Sequence, residues 1–198
     1  MLKRAFDIML SSVGLMLSSP LWLLIAVAVK LQDGGPILFP QPRVGRYGRP
    51  FTAYKFRSMV PDAERQTGAV QAVADDPRVT PVGRWLRATA MDELPQLWNI
   101  LRGDMSFVGP RPLRPDERDA TAPDRVLELR TLAGFDARHS VRPGLTGIAQ
   151  VYAARDVSRR RKFRYDLLYV RRASFCLDMW LILRSFLITA TGAWEKRT

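Results

Sequence analysis

Residues 8–29, IMLSSVGLMLSSPLWLLIAVAV, carry no charged side chain. A helix of that length reaches roughly 33 Å at about 1.5 Å per residue, enough to cross the hydrocarbon core of a bilayer. Three readings of this run are open. A secretory signal would use Lys3-Arg4 and the small residues Ala26-Val27-Ala28, but the run exceeds the usual apolar length of about 7–15 residues. A plain spanning helix fits the length. A helix that enters the membrane, bends and returns to the same face fits two further features. Ser18-Ser19-Pro20 falls near the middle, where proline removes an amide donor and serine hydroxyls can cover the carbonyls this frees. Basic residues also stand at both ends, Lys3 and Arg4 before and Lys30, Arg43, Arg46 and Arg49 after, so both flanks favour the cytoplasm.

Asp33-Gly34-Gly35-Pro36 ends the run. Residues 37–44 and 50–57 are rich in β-formers around a turn at Gly45-Arg46-Tyr47-Gly48, which predicts a hairpin. Pro40 and Pro42 make its first strand an irregular edge. Strand alternation puts Lys55 and Arg57 on one face. Residues 61–78 read as a mobile loop with a short helix from Asp62 to Gln66. Helix signals return over Gly83 to Ala90, and Thr89 is placed to cap a turn with Asp92. Pro95 suits a first helical turn and Gly103 a stop, which predicts a short helix over Leu94–Arg102. Arg114 to Ala133 is charged and helix-compatible. Ser140 to Gly147 is a turn-rich loop holding Arg142. A basic run covers 155–172, with Tyr165 and Tyr169 one helical turn apart. Ser174 to Ala190 is a last helix that lies in a membrane interface or in the core, since Asp178 and Arg184 make it a poor span. The fold class is therefore α+β, mainly helical with a small β-hairpin, organised as a membrane segment over 1–31 and a cytoplasmic catalytic part over 32–198 that act as one unit.

The chain has 31 Lys plus Arg against 19 Asp plus Glu, a net charge of +12. That excess asks for an anionic partner: nucleic acid, anionic lipid or a phosphorylated substrate. No RRM, zinc-finger or basic-zipper pattern supports nucleic acid. A P-loop, G-x-G-x-x-G, zinc spacing and G-x-S-x-G are also absent. The single Cys176 excludes an internal disulfide framework and reads as a small buried apolar residue. The lone His139 cannot build a His-rich metal site and reads as a surface or loop histidine.

The chemistry concentrates in RWLRATAMDELPQLWNILRGDMSFVGPRP, residues 84–112. Adjacent carboxylates, Asp92 and Glu93, sit among Arg84, Arg87, Arg102 and Arg111. Helix capping, worth about 0.3–1 kcal/mol per acid, explains one of them better than two. An aspartate can attack phosphorus and form an acyl phosphate. Incoming phosphates repel it, so a Mg²⁺ ion and cations must neutralise charge. Arg87, Arg111 and Arg142 can supply this, with Lys55 and Arg57, while Glu93 binds the metal, positions it or moves a proton.

Four blocks carry a resemblance: QPRVGRYGRPFTAYKFRSM (41–59), DPRVTPVGRWLRATAMDELPQLWNILRGDMSFVGPRP (76–112), RPGLTGIAQV (142–151) and DLLYVRRASFCLDMWLIL (166–183). The chain resembles the monotopic phosphoglycosyl transferases, the bacterial sugar transferase family, over nearly its whole length. The resemblance implies transfer of a sugar 1-phosphate from a UDP-sugar to polyprenyl (undecaprenyl) phosphate, with release of UMP, use of Mg²⁺ and a covalent aspartyl intermediate. It implies Asp92 as nucleophile and Glu93 as its partner, both near the metal. Arg87 and Arg111 match arginines placed near substrate phosphates, as Lys55 and Arg142 do more distantly. It further implies a re-entrant helix broken at Ser19-Pro20, interfacial amphipathic helices among membrane lipids, and a place on the cytoplasmic face of a bacterial inner membrane at the start of surface glycan assembly. Two departures are visible: Ala90 stands where the family often has Ser, and Tyr-Ala-Ala-Arg follows Val151 in place of the commoner Asn-Gly-Arg. A competing class is a catalytically silent, basic membrane-associated module that binds anionic lipid or a glycan-assembly partner.

Overall fold

The first helix, α1 (Leu2–Asp33, 32 residues), runs as one helical segment with Pro20 inside it in the computed structural model. The structure describes residues 1–65, 76–115, 118–119, 122–126, 128–153 and 157–191. Most of the loop expected over 61–78 falls outside them, as do Gln66, Arg155 and Trp194. The break expected at Ser19-Pro20 is not an interruption. Pro20 lies inside continuous helix, and the Ser19 hydroxyl donates to the Met16 carbonyl at 2.8 Å. That carbonyl is the one that loses its partner to proline, so the cost of Pro20 is offset locally.

Both ends of α1 are fastened to the same body. At its start, Lys3 Nζ bonds Asp178 Oδ2 at 2.6 Å, and Arg4 donates to the Ile100 and Leu101 carbonyls at 2.6 and 2.8 Å. At its end, Arg57 grips both oxygens of Asp33. Between them, Leu15 packs against Leu97, Ile100 and Met105, and Ile25 and Val29 are buried with Phe56 and Leu86. The opposite side is bare: Met9, Met16, Leu17, Leu23, Leu24 and Leu31 are exposed.

The hairpin forms as the sequence predicts. β1 (Leu38–Val44) pairs antiparallel with β2 (Pro50–Phe56), Leu38 opposite Phe56 and Val44 opposite Pro50. Helix α2 (Pro81–Ala88) starts at Thr80, whose hydroxyl accepts from Gly83 N at 3.0 Å, with Pro81 at a position where its missing donor costs nothing. Thr89 does not cap a turn toward Asp92: its hydroxyl folds back onto the Trp85 carbonyl at 2.9 Å and closes α2. Helix α3 (Gln96–Arg102) stops at Gly103, φ 96°, where a left-handed residue favours glycine. Asp62 to Arg65 forms turns and not the expected short helix.

β3 (Ser106–Val108) follows, and the described residues of the helix-compatible stretch 114–133 do not form an α-helix. That stretch gives a two-stranded ribbon, β4 (Arg118–Asp119) with β5 (Ala122–Val126), and a 3₁₀ turn at Leu129–Thr131. Pro115 and Pro123 interrupt any helix there, and Leu129 and Leu132 pack beside Leu113, Phe135 and Phe163. Helix α4 (Phe135–His139) then leads to β6 (Gly144–Thr146), which pairs parallel with β3, Ser106 opposite Gly144 and Val108 opposite Thr146. α5 (Ile148–Tyr152), α6 (Arg159–Arg172) and α7 (Phe175–Ala190) complete the chain. α7 begins on the Ser174 hydroxyl, which accepts from Leu177 N at 3.2 Å.

Val108, Val151, Tyr169 and Leu181 join β3, α5, α6 and α7 in one apolar cluster. Two single-residue expectations reverse. His139 is buried, with Nδ1 on the Phe135 carbonyl at 2.7 Å and Nε2 facing Arg138 at 3.1 Å. Burial, reinforced by the Arg138 charge, pulls its pKa down to about 4, so it is neutral at physiological pH. Cys176 is exposed, because it sits on the uncovered side of α7 near exposed Phe175 and Trp180.

β3 and β6 meet through backbone so closely that a Cβ on Gly144 would stand 2.0 Å from Gly109 N, with no flexible side chain to yield. Gly144→Ala is expected to cost about 2–3 kcal/mol, read as a lower thermal unfolding midpoint of the purified protein.

Candidate active site

The acids sit where two helices fail to merge. After α2 the chain turns at Ala90, φ 55°, a left-handed conformation that costs a non-glycine residue of order 1–2 kcal/mol. A 3₁₀ turn, Met91–Glu93, follows before α3 begins. This kink presents both carboxylates to a cleft of about 780 Å³ instead of spending them as helix caps. A volume of that size suits a small-molecule ligand. The cleft is walled by the hairpin, the 61–65 turns, α2, the Gly109-Pro110-Arg111-Pro112 loop and the faces of α5 and α6.

The two acids have different surroundings. Glu93 Oε1 accepts from Lys55 Nζ at 2.5 Å and from Arg111 at 2.8 Å. Burial opposes its charge, but the Arg111 and Lys55 cations outweigh that and hold the carboxyl far below the usual carboxylate range. Among the described residues, no side chain or backbone group bonds the Asp92 carboxylate. Burial, with the Glu93 charge beside it, pushes Asp92 up despite Lys55 and Arg87. One acid is thus fixed as an anion and the other is left free, facing the cleft.

The cations exceed what these acids balance. Arg43, Arg87, Arg114, Arg159 and Lys162 line the same cleft with Lys55 and Arg111. Burial, then the nearby Arg111 and Arg114 charges, lowers Arg43 to about 9.

Sequence reasoning placed most of these groups and misjudged some. Lys55, Arg87, Asp92, Glu93 and Arg111 converge on the cleft. Arg57 lines it too, but its guanidinium is engaged by Asp33 and by the Pro36 carbonyl at 2.6 Å. Arg142 is not brought there: it donates to the Gly103 carbonyl at 2.8 Å and braces the end of α3. The sequence reading missed Arg138, which lines the cleft, pairs with buried Asp166 at 2.8 Å and donates to the Arg111 carbonyl at 2.6 Å. Nothing local marks it, since its partner lies 28 residues away.

Two adjacent carboxylates form a hard-oxygen donor set that fits Mg²⁺. Asp92, unbonded and held above its usual pKa, is the kind of group a divalent cation would draw back into its ionised form. No group of three or more His, Cys, Asp or Glu side chains gathers among the described residues. Asp92 and Glu93 would therefore share such an ion with water and ligand oxygens, as Mg²⁺ sites commonly do.

A family described as bacterial sugar transferase matches residues 1–192. The undecaprenyl-phosphate glucose phosphotransferase of Komagataeibacter xylinus is 45% identical over 185 residues, covering 91% of this chain and 34% of that protein. The exopolysaccharide production protein ExoY of Rhizobium meliloti is 39% identical over 199 residues, covering 93% and 84%. The UDP-glucose:undecaprenyl-phosphate glucose-1-phosphate transferase of Klebsiella pneumoniae is 42% identical over 186 residues, covering 91% and 38%. The chain thus spans little more than a third of the glucose transferases and most of ExoY.

The unequal acids make a thermal prediction. A raised pKa means that Asp92 contributes stability fully below the unfolded carboxyl value of about 3.9, and that this is lost as pH rises through the folded value. A depressed pKa means that Glu93 contributes stability above about 4.3, lost as pH falls through its folded value. At pH 7, Asp92→Asn should therefore raise the unfolding midpoint and Glu93→Gln should lower it, by about 2–4 °C for each kcal/mol involved. The Asp92→Asn gain should vanish once pH falls below the range in which Asp92 ionises.

Proposed function

The chain belongs to the bacterial sugar transferase family, and from that footing we propose that it transfers a sugar 1-phosphate from a UDP-sugar to polyprenyl (undecaprenyl) phosphate. The products are polyprenyl-diphospho-sugar and UMP. The observation that carries this reading is the unbonded Asp92 carboxylate in a cation-lined cleft, beside a Glu93 already locked as an anion.

In the first half, an Asp92 carboxylate oxygen attacks the phosphorus that bears the sugar. The bond to the UMP oxygen breaks, UMP leaves with the electron pair, and an aspartyl phosphosugar remains. In the second half, an oxygen of polyprenyl phosphate attacks the same phosphorus, and the Asp92 carboxylate is returned. Phosphoryl transfer of this kind depends mainly on positioning and charge stabilisation. Arg87 and Arg111 are placed to hold the diphosphate. Lys55 keeps Glu93 ionised and adds a cation beside Asp92. Mg²⁺ at Asp92 and Glu93 would neutralise phosphate charge as it approaches these acids. Splitting the exchange lets one site meet a water-soluble donor and a lipid acceptor in turn.

The same reading puts the protein on the cytoplasmic face of the bacterial inner membrane, with α1 immersed in the facing leaflet and both of its ends on one side. Two observations support this over a spanning helix. Both ends of α1 bond to one folded body, and its outward side is apolar. Exposed Trp180, Leu183 and Phe186 on α7 add apolar surface, and the net positive charge suits anionic headgroups. The exopolysaccharide names among the relatives suit a role in starting a surface glycan.

Purified protein with Mg²⁺, undecaprenyl phosphate and a panel of UDP-sugars should release UMP. Asp92→Asn should lower the rate by about 10⁴-fold or more. Wild-type turnover by that variant would remove Asp92 as nucleophile, and no turnover with any sugar would favour the silent binding module. For topology, exposed Cys176 is first replaced by Ser, and single cysteines are placed at Leu2 and Arg49. Both should be labelled only from the cytoplasmic side. Labelling at position 2 from outside would restore the spanning helix.

A further inference from the structure

α1 carries two features that immersion in lipid does not explain. Lys3 and Asp7 lie four residues apart, on one helical face, and both point into the folded body. Asp7 is 2% exposed. A buried charge is costly unless it is bonded, so its partners show what it is there for. Asp7 Oδ1 accepts from the Ser106 hydroxyl and from Phe107 N, each at 3.1 Å. Lys3 Nζ donates to the Val108 carbonyl at 3.0 Å and is fixed there by Asp178 at 2.6 Å and the Tyr169 hydroxyl at 3.2 Å. All three residues of β3 are therefore held by the start of α1. The next residues are Gly109, Pro110 and Arg111. On the other side, β6 holds the same segment through Gly109 N to the Thr146 carbonyl and Gly144 N to the Pro110 carbonyl, both 2.9 Å.

We propose that Lys3 and Asp7 are positioning residues for Arg111. By clamping β3 against β6, they fix where the Arg111 guanidinium stands relative to Glu93 and to bound phosphate. They touch neither substrate nor the reacting atoms. The proposal rests on the transfer reaction above for its kinetic readout, but has a second readout that needs no substrate. Displacement of a catalytic group by about 1 Å can cost on the order of a hundredfold in rate, so losing either clamp should be visible.

The test uses the whole chain in lipid nanodiscs of phosphatidylethanolamine and phosphatidylglycerol. Lys3→Met and Asp7→Ala are made in the wild-type and the Arg111→Ala backgrounds. Lys30→Met, which removes the same charge from the far end of α1, serves as control. In the wild-type background, the first two should lower kcat/KM for UMP release by about 10- to 100-fold, and Lys30→Met by less than about twofold. With Arg111 already removed, Lys3→Met and Asp7→Ala should cost less than about twofold, because groups acting through one residue do not add. Asp7→Asn, which keeps an acceptor oxygen, should recover most of the activity lost in Asp7→Ala. Full-sized losses in the Arg111→Ala background overturn the proposal. Hydrogen exchange gives the second readout: the amides of residues 107, 108, 109 and 111 should exchange faster in Lys3→Met and Asp7→Ala while those of β2 stay protected. Unchanged protection at these amides overturns the proposal whether or not the protein turns over. Absence of wild-type turnover overturns the transfer reaction instead.

Discussion

Neighbouring carboxylates in one desolvated cleft cannot both be charged without cations to support them, and much of this structure answers that constraint. Lys55 arrives on β2 and Arg111 on the loop after β3, from opposite sides, and both bond the same oxygen of Glu93. That asymmetric support separates two chemically similar acids into an anion and a group poised at higher pKa. Environment assigns different roles to paired carboxyls in other catalytic sites in the same way.

The support reaches far from the acids. Arg138, itself paired with Asp166, holds the Arg111 backbone. β3 and β6 bring Gly109 and Gly144 into backbone contact. Lys3 and Asp7 bond β3 from α1. A helix whose outer side is fit for lipid thereby has an inner side that belongs to the cleft wall. The apolar outer side of α1 and the wall of the cleft belong to one packed unit.

Elements set by local signals were legible in the sequence. Alternation and the 45–48 turn gave the hairpin, Gly103 gave the end of α3, and Ser174 the start of α7. The acid pair and its nearest cations were legible because charge density marks them. Long-range pairings were not. Arg57 looked like a ligand-binding cation until Asp33, 24 residues away, took its guanidinium. Arg142 turned to the Gly103 carbonyl, 39 residues away. His139 was read as surface-exposed because one histidine carries no pattern, and its burial depends on Arg138 and Phe135. Residues 114–133 have helix-compatible charge, but Pro115 and Pro123 stand within them and Leu129 is drawn into the cluster of Leu113, Phe135 and Phe163. At the Ser-Pro site the helix continues through Pro20, with Ser19 bonding the carbonyl that proline leaves without a partner.

The apolar contacts are divided among four small clusters, and α1 contributes to two of them, through Leu15 in one and Ile25 and Val29 in another. Solubilisation therefore has an unusual character for this chain. Any detergent that competes for the outer flank of α1 stands beside contacts that join α2, α3 and the hairpin. A surfactant that reaches past the bare side of α1 to its packed side would loosen the contacts around the cleft, so one mild toward ordinary soluble cores can still act here as a denaturant.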